Sequence, residues 1–190
     1  MGDNKILVVD DEHINRSVLA KILRTSGYDV SIAHDGFDAL LKVMEHNPQL
    51  IVSDLQMPRM SGFELLSVVR RRFPEIAVIS MSGAFDATIL PPCVICDAFF
   101  AKGAYKTPEL LAKVAELLLG GHRAALVNNA PVPVWLPRGH DDYYIVTCTS
   151  CLRSFPVRGT TEVEHSEEHT PCLHCQTMLT YFIEGQRRVA

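Results

Sequence analysis

The sequence predicts an α/β protein: an open parallel sheet of five strands with helices on both faces, followed by a small β-rich module. Three observations predict it. Over the first 119 residues, short apolar runs alternate with stretches of helical periodicity, joined by short connections. Asp10, Asp11, Asp54, Ser82 and Lys102 all fall at the carboxyl ends of the expected strands, where sites form in such sheets. Beyond Asp141 the character changes to β-forming residues around paired cysteines.

Lys5–Asp10 is a nearly continuous apolar run ending in acids, as expected of a strand covered on both faces. Residues 13–26 set Ile14, Val18, Leu19, Ile22 and Leu23 at helical spacing, and Gly27 closes the helix. A second strand is expected at Asp29–His34. Asp35 then caps a helix carrying Ala39, Leu40, Val43 and Met44, which ends before Pro48. Leu50–Asp54 is the third strand, and Ser61 caps a helix through Phe63, Leu65, Leu66, Val68 and Val69 to Pro74. Ile76–Ser82 and Ala98–Lys102 are the fourth and fifth strands. Thr107-Pro108-Glu109 opens the last helix with a cap residue and proline at the first helical position; the helix runs to Leu119 and closes at Gly120-Gly121. Between the fourth and fifth strands, Pro91-Pro92 interrupts the expected helix, because proline inside a helix costs about 3 kcal/mol or more.

Three segments follow: residues 1–120, a Pro-rich linker over 121–140 with the run Ala-Pro-Val-Pro-Val-Trp-Leu-Pro, and a cysteine-bearing module over 141–190. The chain of 190 residues is 47% apolar and 21% charged, the composition of a globular protein. Its net charge is −4, and 141–190 holds seven acids against four basic residues. A dominant basic surface for nucleic acid or anionic lipid is therefore not expected. No run reaches the roughly 18–20 apolar residues of a membrane helix, and residues 1–5 lack a signal-peptide layout. The expectation is a cytoplasmic protein without membrane insertion, whose cysteines are thiols or metal ligands more than structural disulfides.

Asp10, Asp11 and Asp54 gathered in one crevice would repel one another. A divalent cation resolves this, and hard oxygen ligands select Mg²⁺. An aspartate so placed can attack a phosphoryl group, with Lys102 offsetting the charge on its oxygens. The alternative for any single acid is a solvated strand end or a helix cap.

Val8-Val9-Asp10-Asp11-Glu12, the run Ser53-Asp54-Leu55-Gln56-Met57-Pro58-Arg59-Met60-Ser61-Gly62, Met81-Ser82-Gly83 and Lys102 together resemble the receiver domain of two-component response regulators. The resemblance covers roughly residues 3–120. It implies a flavodoxin-like, doubly wound sheet of five βα units that takes a phosphoryl group from a partner histidine kinase or phosphotransfer protein, with Mg²⁺. It assigns Asp54 as acceptor, Asp10, Asp11, Asp54 and the backbone carbonyl of Gln56 as Mg²⁺ ligands, Ser82 and Lys102 as phosphoryl-binding groups, and Ser82 and Phe99 as switch residues. Three departures stand out. Ser82 replaces the common threonine, and the prolines interrupt the usual signalling face. Gly103 follows Lys102 where the family has proline after a cis bond; a cis bond before glycine costs about 2.5–4 kcal/mol, so either a trans bond or a strained exception is expected.

Cys148-x-x-Cys151 and Cys172-x-x-Cys175 are two close pairs twenty residues apart, the pattern of a tetrahedral zinc site. With Tyr143–Thr147 and Met178–Glu184 as flanking strands, the tail resembles a zinc ribbon, although Leu152 and Gln176 stand where glycine is usual. Four thiolates leave no open position, so Zn²⁺ here would be structural. His165, His169 and His174 are nearby alternative ligands, but His165 and His169 sit in or beside the acidic loop Glu162–Glu168, expected as an exposed tip, and His174 is expected at the surface. Cys93 and Cys96 form a third pair, expected to pack as small hydrophobes, with a metal or redox role as the alternative. Trp135 is expected to pack in a core.

The function expected is a response regulator whose zinc-ribbon output binds an unidentified protein, with no separate catalytic domain. The alternatives are a DNA-associated regulator using the ribbon, and a degenerate receiver that binds partners without phosphorylation.

Overall fold

A computed structural model describes residues 4–83, 96–120, 134–136, 143–158 and 167–183. The chain divides into two units, Met1–Asn128 and Asn129–Ala190.

In the first unit β1 (Lys5–Val9), α1 (His13–Thr25), β2 (Asp29–Ala33), α2 (Gly36–His46), β3 (Leu50–Asp54), α3 (Gly62–Arg72), β4 (Ala77–Ser82), β5 (Ala98–Ala101) and α4 (Thr107–Leu119) follow in order. The sheet is parallel, in the order β2-β1-β3-β4-β5. Strand order reverses at β1 and β3, so a crevice opens beyond their carboxyl ends, where Asp10 and Asp54 lie. Both strands are buried along their apolar residues. Ile6, Val8, Leu50, Val52 and Ile79 form a core with Leu19 and Leu23 of α1 and Leu110 and Val114 of α4.

Local chemistry sets the helix ends. Past α1, Gly27 takes φ 89, its N–H donates to the Arg24 carbonyl and that of Tyr28 to the Leu23 carbonyl. This is a Schellman closure around glycine. Asp35 caps α2 by accepting from Asp38 N–H at 2.8 Å. Ser61 and Glu64 form a reciprocal capping box at α3.

Several expectations need correction. The cap of α4 is Lys106, not Thr107, and no side chain caps it. The helix already starts at the Lys106 carbonyl, which accepts from Glu109 and Leu110 N–H, and Pro108 fits the first turn because no N–H bond is needed there. The α1 stripe is narrower than its spacing suggests: Leu19 and Leu23 are buried, while Ile14 and Val18 are 67% and 53% exposed. Those two lie on a row offset by one residue, about 100° round the helix. Met44 is likewise 75% exposed. Of the two outcomes expected at Lys102–Gly103, the bond takes the trans form, since the described residues contain no cis peptide, and Gly103 takes φ 80. Pro91, Pro92 and Cys93 lie outside the described residues.

In the second unit β6 (Val134–Leu136), β7 (Tyr143–Thr147), β8 (Ser154–Arg158), β9 (Glu167–Pro171) and β10 (Met178–Ile183) form two small sheets. One is ordered β6-β10-β9, the other pairs β7 with β8. β10 runs antiparallel to β9 and parallel to β6, a strand from within the expected linker. Glu168 and His169 lie on β9 rather than in a loop, because β10 takes up their backbone groups. His165 and the side chain of Trp135 lie outside the described residues. The core comprises Val146, Cys148, Phe155, Cys172, Leu179 and Tyr181. Among the described residues, no helix is long and apolar enough to cross a membrane.

Candidate functional site

Each end of the crevice follows from its strand. β1 delivers Asp10 buried and Asp11 exposed; β3 delivers Asp54, buried to 6% exposure. One carboxylate oxygen from each lies within 4.8 Å of the others. Lys102, just after β5, reaches across: its Nζ is 2.6 Å from Asp54 Oδ2 and 2.7 Å from Asp10 Oδ2. The Lys102 N–H donates to the Ser82 carbonyl at 2.7 Å, so the backbone sets where this side chain leaves the sheet.

The free oxygens are oriented too. Asp54 Oδ1 accepts from Gln56 N–H at 3.2 Å, and Asp10 Oδ1 from Glu12 N–H at 2.9 Å. Burial pushes Asp54 above the ordinary carboxylate range, outweighing the Lys102 ammonium beside it. Lys102 loses by burial but gains more from its two carboxylates, and titrates above an ordinary lysine. The charge is unbalanced, with three carboxylates around one ammonium. Hard oxygen donors this close fit a divalent cation such as Mg²⁺.

Behind Asp54 the backbone is tightly packed. A Cβ on Gly62 would lie 2.7 Å from Leu55 Cα and collide with the Asp54 carbonyl, which explains the glycine ending the D-x-x-M-P-x-M-x-G run. The loop before it is tied to the start of α2: Arg59, at φ 68, ion-pairs with the buried cap Asp35, and Gly36 N–H donates to the Met60 carbonyl.

The structure thus brings Asp10, Asp11, Asp54 and Lys102 together, with Gln56 in the adjoining loop. Ser82 is buried at the end of β4. Phe99, half-buried on β5 opposite Ser80, stands in the strand rather than at the carboxylates. Sequence reasoning missed the Arg59–Asp35 pair and Arg16, whose guanidinium binds the Asp10 and Asp11 carbonyls. An arginine among helical polar residues carries no signal of such a role.

The second cluster is sulfur. Cys148, Cys151, Cys172 and Cys175 bring all four Sγ within 4.8 Å of one another. Sγ–Sγ is 3.7 Å both for Cys148–Cys175 and for Cys151–Cys172. A disulfide would be about 2.05 Å, whereas a tetrahedron with Zn–S of about 2.3 Å has an edge of about 3.8 Å.

The two pairs sit in the same turn. Leu152 N–H donates to the Cys148 carbonyl and Cys148 N–H to the Arg153 carbonyl; Gln176 with Cys172, and Cys172 with Thr177, repeat this. Leu152 and Gln176 take φ 61 and 62, so ordinary side chains occupy the left-handed positions where glycine is usual. Ser150 and Cys151 N–H point at Cys148 Sγ, and His174 N–H at Cys172 Sγ, at 3.4–3.5 Å. Burial pushes the Cys148 thiol up to about 12, while the Thr177 hydroxyl beside Cys175 draws that exposed thiol down to about 6.

Comparison with known proteins agrees with this geometry. The profile of the response regulator receiver domain matches residues 6–100, half of the chain. Protein PilG of Pseudomonas aeruginosa is 34% identical over 87 residues, covering 43% of this chain and 64% of PilG. The alkaline phosphatase synthesis transcriptional regulatory protein PhoP of Bacillus subtilis is 38% identical over 90 residues, covering 46% of this chain and 38% of PhoP. The chain thus spans less than two thirds of these relatives. Among solved structures, chemotaxis response regulator CheY4 of Vibrio cholerae superposes with a TM-score of 0.54 at 26% identity, over 60% of this chain and 97% of CheY4. The receiver domain of a signal transduction histidine kinase from Syntrophus aciditrophicus gives 0.57 at 27% identity, over 66% and 97%.

Proposed function

Because this chain belongs to the response regulator receiver domain family, we propose that it accepts a phosphoryl group on Asp54 from the phosphohistidine of a histidine kinase or phosphotransfer protein. The observation that carries this reading is Lys102 bridging Asp54 and Asp10 beside Asp11 at the strand switch point.

An Asp54 carboxylate oxygen forms the new bond to phosphorus as the phosphorus–nitrogen bond breaks, and the imidazole nitrogen keeps the electron pair and takes up a proton. Asp10, Asp11, Asp54 and the Gln56 carbonyl would hold Mg²⁺, which when bound offsets the negative charge of the phosphoryl oxygens. The Lys102 ammonium, already 2.6 Å from the acceptor, pairs with the transferred group. The Ser82 hydroxyl bonds one of its oxygens, and Phe99 reads out that contact. The receiver domain assists its own transfer and hydrolysis through these residues.

In the second unit the four cysteines hold a structural Zn²⁺. The support is the 3.7 Å sulfur edges and the repeated turn. Among the described residues the hydrophobic core holds six buried side chains, two of them proposed ligands, which is small for a unit standing alone, so metal would supply much of the folding free energy. This zinc-ribbon-like unit serves as an output that binds a protein.

Incubating the protein with an acyl phosphate and Mg²⁺ tests the acceptor. The wild type is expected to label, and Asp54→Asn to lose that label. Equal labelling of both would refute the assignment, and no labelling of either would indicate a receiver that works by binding alone.

A further inference from the structure

Asp10 and Asp11 carry like charges on one short loop, and something must hold that loop closed before a cation arrives. The Asp10 N–H is fixed to the Ala33 carbonyl at 3.3 Å. The two carbonyls are taken by Arg16, one turn into α1: its Nη1 donates to the Asp10 carbonyl and, at 3.3 Å, to the Asp11 carbonyl. Both bonds go to backbone oxygens, not carboxylates.

Between those carbonyls lie only φ and ψ of Asp11. Holding both oxygens on one nitrogen therefore fixes the torsions that aim the Asp11 side chain. Asp11 is the exposed member of the three carboxylates; Asp10 and Asp54 are buried and hydrogen-bonded. The residue least constrained by packing is the one Arg16 constrains.

We propose that Arg16 is a positioning residue that sets the Mg²⁺ affinity of the crevice by pre-orienting Asp11. This rests on the reading that Mg²⁺ binds between Asp10, Asp11 and Asp54. The sign of the effect separates it from simple charge. A guanidinium near three carboxylates repels a divalent cation, so on charge alone its removal would tighten binding. Loss of a group that orients a metal ligand weakens binding instead.

The test is calorimetric titration of the full chain with MgCl₂ for wild type, Arg16→Ala and Arg16→Lys, with acyl-phosphate labelling measured across the same Mg²⁺ range. For Arg16→Ala, Kd is expected to rise roughly tenfold, as when outer partners of a metal ligand are removed. Arg16→Lys keeps one donor and is expected to fall between. The labelling rate at saturating Mg²⁺ should stay within about twofold of wild type, because the acceptor and Lys102 are untouched. Unchanged or tighter Mg²⁺ binding by Arg16→Ala overturns the proposal, as does a loss of saturated labelling rate with no change in Kd. Absence of Mg²⁺ binding by wild type sinks the underlying site instead. Thermal unfolding in chelator checks that the variants are folded, and Arg16→Lys supplies a folded comparison if Arg16→Ala is not.

Discussion

At the scale of single residues, Lys102 does two opposed things. Without a divalent cation it pairs with Asp54 and Asp10 and offsets part of their charge; a bound cation would compete with it for the same oxygens. Lys102→Ala should therefore unfold more easily in urea without Mg²⁺, by about 3 kcal/mol, since two buried carboxylates lose their partner. Mg²⁺ should restore more stability to that variant than to wild type; an equal gain would mean that the lysine and the cation act at separate places. The acids and the lysine were legible in the sequence because strand ends and charge repulsion point to one crevice. Arg16 and Arg59 were not, because each acts through backbone oxygens or a cap formed by residues far along the chain.

At the scale of elements, turn and cap chemistry decides how well the sequence speaks. Gly27, Asp35 and Ser61 each announce a helix boundary and the structure uses each, because every one satisfies an orphaned backbone group at short range. Thr107 announces a boundary that the chain sets one residue earlier. Helix faces are less legible: Ile14, Val18 and Met44 follow the right period yet remain exposed, since periodicity does not say which row meets the sheet. The strongest cap is the box at α3, which also carries the loop running from the acceptor. Ser61→Ala should cost roughly 0.5–2 kcal/mol in urea unfolding. Labelling of Asp54 should fall by a smaller factor, because Gly62 still lies against the acceptor's backbone. A labelling loss without a stability loss would show that Ser61 acts at the site rather than through the helix.

At the scale of the whole molecule, two units of unlike origin of stability share one chain. The first has a continuous apolar core between sheet and helices; among the described residues the second has a handful of buried side chains and four clustered sulfurs. A strong chelator should therefore abolish the structure of the second unit while leaving the first, seen as loss of β-type circular dichroism with the main thermal transition retained. Purified protein should carry about one zinc per chain, and a folded, metal-free second unit would refute the site. The CxxC spacing made this cluster readable from sequence. The strand at Val134–Leu136 was not, because its partner, β10, lies more than forty residues on.

The repeated turn gives the second unit one more property. With a metal bound as proposed, Cys151 and Cys172 would be joined through it, and the residues between them would form a tethered ring closed by that metal. Lengthening such a ring is cheap, about 0.6 kcal/mol for each doubling. Insertions between Arg158 and Glu167 are therefore expected to leave the metal content of the purified protein and the unfolding of the second unit nearly unchanged.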